Sequence, residues 1–175
     1  MISKKLMVIG EIGVGKTSLV RRLVLNEFTA AYIPTMGVDL YRYQAREIGP
    51  VGKDSLELVI WDIDGNFGHS VFRHVYGRGA SGALIVGDLT SARTLESMVT
   101  LGRGFEENMP GRHYAFVLNK TDVRARREDI VLPEALRPEA LEKSRVPLLW
   151  TSAATGDGVK EAFHAAADSI LRRDI

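Results

Sequence analysis

A short apolar run, Leu6-Met7-Val8-Ile9, leads directly into Gly10-Glu11-Ile12-Gly13-Val14-Gly15-Lys16-Thr17, and apolar positions then recur at helical spacing from Thr17 to Leu25. The run has the length and branching of a buried strand, so the chain opens as strand, glycine-rich loop and helix. The loop fits the spacing GxxxxGK followed by Ser or Thr, in the one context where that spacing has a mechanism. Its glycines let the backbone turn until successive N–H groups point at a β-phosphate, and the helix N-terminus adds partial positive charge. Lys16 offers an ammonium between β- and γ-phosphates, Thr17 offers a hydroxyl to Mg²⁺, and Ser18 carries the segment on into the helix. Every residue from Gly10 to Ser18 is therefore a candidate nucleotide-binding position. The loop alone separates neither GTP from ATP nor a switch from a kinase.

The same alternation continues down the chain. Leu56 to Trp61, Ala83 to Val86, Tyr114 to Leu118 and Val146 to Trp150 read as further buried strands, with helical spacing over Thr94 to Asn108, Pro133 to Lys143 and Val159 to Arg172. Such alternation implies an α/β fold with parallel strands, right-handed crossovers and helices on both faces of the sheet. The one break is at Val38 to Glu47, which reaches Leu56 through the turn-rich Gly49-Pro50-Val51-Gly52-Lys53-Asp54, too short for a helix. Those two strands should pair antiparallel. The expected architecture is a P-loop NTPase sheet of six strands, mostly parallel with one antiparallel edge strand, in a single domain over residues 1–175.

Bulk properties narrow the partners. The 23 basic and 22 acidic residues leave a net charge of +1, which shows no nucleic-acid footprint. With no cysteine there are no disulfides, thiolate metal sites or thiol nucleophiles, which fits a reducing, cytoplasmic setting. No apolar stretch approaches the roughly 18 residues of a membrane span.

The strand Tyr114 to Leu118 ends in Asn119-Lys120-Thr121-Asp122, at the carboxyl end where ligands gather in open α/β sheets. A carboxylate at Asp122 accepts from both N1–H and the exocyclic amine of guanine, a donor pair adenine lacks, and the Asn119 amide can reach the ring edge. An adenine there would leave a charged acceptor unpaired, at about 1–3 kcal/mol or more. The aliphatic stem of Lys120 can lie over the base plane. With the phosphate loop, this motif points to a guanine nucleotide, GTP or GDP.

These motifs and others between them resemble the Ras superfamily of small GTPases, closest to its Rab branch, over nearly the whole chain. Tyr32-Ile33-Pro34-Thr35-Met36-Gly37-Val38-Asp39 resembles the first switch, which implies that Thr35 closes over Mg²⁺ and the γ-phosphate. Phe28 matches the aromatic that packs on the base. Trp61-Asp62-Ile63-Asp64-Gly65 resembles the WDxxG opening of the second switch, so Asp62 inherits a magnesium role and Gly65 a γ-phosphate role. Arg78-Gly79-Ala80-Ser81-Gly82 is similar to the RGAxG segment of Rab-like members. Thr151-Ser152-Ala153 resembles the last base-binding motif, which implies guanine contacts from Ser152, Ala153 and Ala154. The resemblance implies Mg²⁺ as cofactor, protein effectors bound near residues 28–40 and 62–78, an exchange factor and a GTPase-activating protein.

Three departures touch catalysis. Asn66 stands where most of the family has the glutamine that orients the attacking water, and is one methylene shorter. Ile12 occupies a γ-phosphate-facing position that is usually small or polar. Asp64 replaces a small residue and would repel the phosphate, unless it faces solvent or assists Mg²⁺. Slow hydrolysis is expected, with Lys16, Thr35, Gly65 and Asn66 as its machinery, and a nucleotide-holding module without useful turnover is the alternative. Ala154 replaces the lysine with which the last motif usually continues.

Other residues read more plainly. His69, His74, His113 and His164 show no metal spacing and read as surface or half-buried, while Arg21-Arg22 and Arg172-Arg173 read as solvated helix faces. Phe67, Val71, Phe72, Val75 and Tyr76 divide between core and partner surface. The chain carries no cysteine for prenylation and no glycine at Ile2 for myristoylation, so no lipid anchor is expected in it, as in prokaryotic relatives or a domain cut from a longer chain.

Overall fold

A computed structural model describes residues 2–50, 52, 54–72, 77–123 and 130–173. Strand β1 (Ser3–Gly10) is followed by helix α1 (Lys16–Leu25), strands β2 (Val38–Ile48) and β3 (Asp54–Ile63), and a 3₁₀ segment Gly65–Phe72. Then come β4 (Ala80–Asp88), α2 (Ala92–Asn108), β5 (His113–Asn119), a short 3₁₀ turn Glu134–Leu136, α3 (Pro138–Ser144), β6 (Leu148–Trp150) and α4 (Val159–Arg173). The strands form one sheet in the order β2-β3-β1-β4-β5-β6. β2 pairs antiparallel with β3 at the edge, and every other pairing is parallel. The expected sheet, mostly parallel with one antiparallel edge strand, is the one formed.

Side chains alternate across β1, and both faces are covered. Leu6 and Val8 join Leu19, Val20, Leu58, Val86, Phe163 and Ile170 in the core beneath α1 and α4, while Met7 and Ile9 join Ile85, Leu95, Met98, Phe105 and Leu118 beneath α2. This two-sided burial is why β1 reads as a continuous apolar run rather than an alternating one. The β2 end is pinned to α4 by a 2.9 Å hydrogen bond between the Tyr43 hydroxyl and His164 Nε2, and by the Gly49 N–H donating to Asp168 Oδ1 at 2.8 Å.

Two elements differ from expectation. The helix expected over Pro133 to Lys143 is broken: Arg137 is extended (φ −76, ψ 151) between the 3₁₀ turn and α3. It precedes Pro138, whose ring disfavours the helical region for the residue before it. The last strand begins at Leu148 rather than Val146, because Pro147 has no N–H to donate, although its carbonyl accepts the Phe116 N–H at 2.9 Å.

Register then assembles the site. Val8 lies beside Asp62, Gly10 beside Val86, and Asp88 beside Asn119, so the carboxyl ends of four adjacent strands open onto one edge.

Candidate functional site

A cavity of about 570 Å³ opens on that edge. Ile12, Gly13, Gly15, Lys16, Thr17 and Ser18 form its floor, the segment from Phe28 to Met36 its long wall, Asp64 and Gly65 one end, and Lys120 with Phe28 the other. Three candidates from the phosphate loop stand outside the lining. The Val14 side chain is fully buried in the core beneath α1, and Gly10 is buried under β4. Glu11 turns away toward α2, where its carboxylate accepts from Ser97 Oγ and pairs with Arg93 at 2.9 Å. The loop is thereby tied to α2.

Gly15 adopts φ +99, which favours glycine, and an added Cβ would also collide with Asn119 Nδ2. The phosphate loop and the base-reading loop therefore touch. Lys16 is 6% exposed, its Nζ donating to the Gly10 and Glu11 carbonyls at 3.0 and 2.7 Å. Burial pushes its ammonium down to about 8, while Asp62, Asp64 and Glu11 pull it back up.

Thr17, Thr35 and Asp62 converge. Thr17 Oγ1 donates to Asp62 Oδ2 at 2.5 Å and accepts from Thr35 Oγ1 at 2.6 Å. Asp62 is fully buried, and its Oδ1 is without a hydrogen-bond partner among the described residues. Burial raises its carboxyl to about 6, against the Thr17 hydrogen bond and Lys16, with Asp39 and Asp64 adding to the rise. An orphaned carboxylate oxygen beside two hydroxyls is a hard all-oxygen donor set, and it fits Mg²⁺.

At the opposite end, Asn119 is 1% exposed. Its Nδ2 donates to the Val14 carbonyl at 3.0 Å, and its Oδ1 accepts from Thr151 Oγ1 at 3.1 Å and the Ala153 N–H at 3.3 Å. The amide joins three loops, leaving one N–H for a ring edge, so its first role is that of a clamp rather than a free base reader. Lys120 reaches the phosphate loop, its Nζ donating to the Gly13 carbonyl at 2.8 Å and pairing with Asp88 at 2.7 Å, and the residue lines the cavity. Burial pushes Asp88 up, but hydrogen bonds from Lys120 and Thr90 outweigh it and hold the carboxyl low. Asp122 is exposed beyond the cavity lining and accepts from Ser152 Oγ at 2.7 Å. Ser152 Oγ also takes the Thr155 N–H at 3.1 Å, so one hydroxyl joins the carboxylate to the last loop.

Sequence reasoning missed Arg22. It reads as a solvated helix residue, yet its Nε donates to the Ala153 carbonyl at 2.8 Å and its Nη2 to the Ala154 carbonyl at 2.7 Å. The partners are backbone oxygens 131 and 132 residues away, which carry no mark in the sequence. His113 is also corrected: it is 5% exposed because β5 begins against the core, not on the surface.

The three departures occupy the γ-phosphate end differently. Ile12 is 44% exposed and lines the cavity; Asn66 is exposed and stands outside the lining. Asp64 lines the cavity while its Oδ1 accepts the Asn66 N–H at 2.8 Å. Gly65 presses on the phosphate loop: an added Cβ would lie 2.5 Å from the Ile12 nitrogen. Val71 is buried in the core and the half-buried Phe67 packs against it, while the Phe72 side chain and His74, Val75 and Tyr76 lie outside the described residues.

A strand, phosphate loop and helix under a mostly parallel sheet, with guanine-type and magnesium-type residues at one edge, define a Ras-like P-loop GTPase fold. The sequence model of the Ras family matches residues 5–172, and the chain belongs to that family. It is 33% identical over 168 residues to the Ras-related protein Rab-13 of Rattus norvegicus, covering 95% of this chain and 79% of the relative. It is 32% identical to Rab-8B of Pongo abelii and to Rab-17 of Homo sapiens, covering 97% of this chain in each case and 79% and 77% of those proteins. It is a Rab-like small GTPase, of a family that binds GTP or GDP with Mg²⁺. Among the described residues no helix is long and apolar enough to cross a membrane.

Proposed function

We propose that the chain is one cytoplasmic guanine-nucleotide domain that works as a molecular switch with slow hydrolysis, read by protein effectors through the segments near 28–40 and 62–78. The carrying observation is the pairing of a bonded base loop with a cavity whose γ-phosphate end is walled by Ile12 and Asp64.

In this reading the residues from Gly10 to Ser18 bind the phosphates, Asp122 and the remaining Asn119 N–H read the guanine, and Phe28 and Lys120 enclose it. Ser152, Ala153 and Ala154 present the last loop to the base. Thr17, Thr35 and Asp62 would hold Mg²⁺, which would supply positive charge against the charge that develops on the phosphates. Lys16 offers its ammonium to the β- and γ-phosphates, and the Gly65 N–H faces the γ-phosphate. Asn66 is the residue that orients water, from one methylene short of the glutamine position; an ångström of misplacement lowers a rate by about a hundredfold. Ile12 crowds the space through which that water, or an arginine from a partner, must enter.

Single-turnover hydrolysis of radiolabelled GTP by the native chain and by Asn66→Gln tests this. Slow turnover in the first and faster turnover in the second supports a switch that a GTPase-activating protein assists. No turnover in either protein leaves the second reading, a module that holds nucleotide without hydrolysing it, which the wall at Ile12 favours. Displacement of bound GTP by ATP at similar concentration would contradict the role given to Asp122.

A further inference from the structure

Asp64 forms part of the cavity end that Lys16, Gly65 and Ile12 share. Three hydrogen bonds fix it there. Its N–H donates to the Gly37 carbonyl at 2.9 Å, its carbonyl accepts the Phe67 N–H at 3.2 Å, and its Oδ1 accepts the Asn66 N–H at 2.8 Å. The last two cap the 3₁₀ segment from Gly65, so the carboxylate cannot swing out of the cavity wall without uncapping it. Gly65, next to it, lies against the Ile12 backbone, which sets Asp64 beside the phosphate loop.

Of the lining cations Lys16, Arg21 and Lys120, Lys16 is the one on which Asp62, Asp64 and Glu11 act, and Glu11 is itself paired with Arg93. A diphosphate ends at the β-phosphate, which the loop N–H groups and Lys16 serve. A triphosphate extends one further charged group toward Asp64, Gly65 and Ile12, against a fixed carboxylate on one side and a branched hydrocarbon on the other. The β-phosphate gains from the loop whichever nucleotide binds; only the terminal phosphate meets Asp64.

We propose that Asp64 is a specificity-determining residue that makes this site favour guanosine diphosphate over the triphosphate. The proposal rests on the guanine-nucleotide reading above and adds to it the residue that sets the preference between the two nucleotides.

Equilibrium competition against a fluorescent guanosine diphosphate tests it, using GDP and a non-hydrolysable GTP analogue on the full chain with Mg²⁺. The readout is the ratio of the two affinities in the native chain, Asp64→Asn and Asp64→Ala. Asparagine keeps the oxygen that caps Asn66 and removes only the charge. The native ratio should favour the diphosphate, and Asp64→Asn should move it toward the triphosphate by about tenfold or more, as expected for one charge acting over a few ångströms at intermediate screening. Asp64→Ala should move it at least as far. An unchanged ratio in both variants overturns the proposal. A shift in Asp64→Ala alone also overturns it, by assigning the effect to the cap. So does a loss of both nucleotides in Asp64→Asn that added Mg²⁺ restores, which would make Asp64 a metal ligand. Failure of the native chain to bind either guanine nucleotide is a separate result, removing the underlying reading and this one with it.

Discussion

The two ends of the cavity are built by different means. At the base end, Asn119, Thr151 and Ser152 are buried and bonded to one another's loops, with Arg22 holding the same loop from α1. Toward the γ-phosphate end, Ile12 and the wall residues Tyr32, Ile33 and Met36 are exposed, Met36 at 88%, above the buried Lys16 and Asp62. Buried polar groups that lose a partner are expensive, so the base end resists change. Exposed residues at the other end can change with little effect on the fold. The departures Ile12, Asp64 and Asn66 all fall at the second end.

The largest effect should come from breaking the base end. Asn119→Ala removes the shared partner of Val14, Thr151 and Ala153. It should lower unfolding stability by about 2–4 kcal/mol in denaturant titration. Affinity for GDP and GTP should fall together, because the lost contacts lie far from the terminal phosphate. A stability unchanged from the native chain would show that the network is decorative.

The converse change should leave the fold intact. Ile12→Ala combined with Asn66→Gln opens the γ-phosphate end and restores the longer amide. Single-turnover hydrolysis should rise by about a hundredfold, with stability within about 0.5 kcal/mol of native by thermal unfolding. A large stability change would erase the contrast between the two ends.

What was legible in the sequence follows the same division. Residues 10–17 and 119–122 are readable because each motif is local and each lies at a strand end. The antiparallel β2–β3 pair is readable because residues 49–54 leave no room for a helix. Asn119 as a clamp and Arg22 as a support are not readable, since their partners are distant backbone atoms that any residue type supplies. The break at Arg137 was legible in principle from Pro138, but the apolar spacing on either side hid it. Asp64 could be seen as unusual from the sequence; that it caps the turn at Asn66 while lining the cavity required the fold.

A buried polar group lacking a partner sharpens the comparison from another side. His113 Nε2 has no hydrogen-bond partner among the described residues. Burial pushes the imidazole down to about 4, and the nearby Arg173 guanidinium adds to this. The unfolded chain, with an ordinary value near about 6.5, takes up the proton first. Stability is therefore full above that value and declines as pH falls toward about 4, by about 2 kcal/mol between pH 7 and 5. Denaturant titrations at the two pH values should show this difference shrinking in His113→Leu. An equal pH dependence in both proteins would mean that the imidazole finds a partner when charged.

The smallest effect separates a positioning residue from a solvated one. Arg22 makes two hydrogen bonds to the Ala153 and Ala154 carbonyls from a fork that lysine cannot reproduce. Arg22→Ala should loosen the last loop and speed the release of a fluorescent guanine nucleotide by about five- to tenfold, the worth of about 1 kcal/mol of charge-assisted bonding at a partly buried site. Arg22→Lys should recover part of that, and both variants should act equally on GDP and GTP because the loop lies at the base end. Arg172, whose guanidinium pairs with Asp168 at 2.7 Å on the outer side of α4, serves as the contrast. If Arg22→Ala left release unchanged, the bonds through Asn119 and Ser152 would suffice for the 152–154 loop, and Arg22 would be no more than a solvated helix residue.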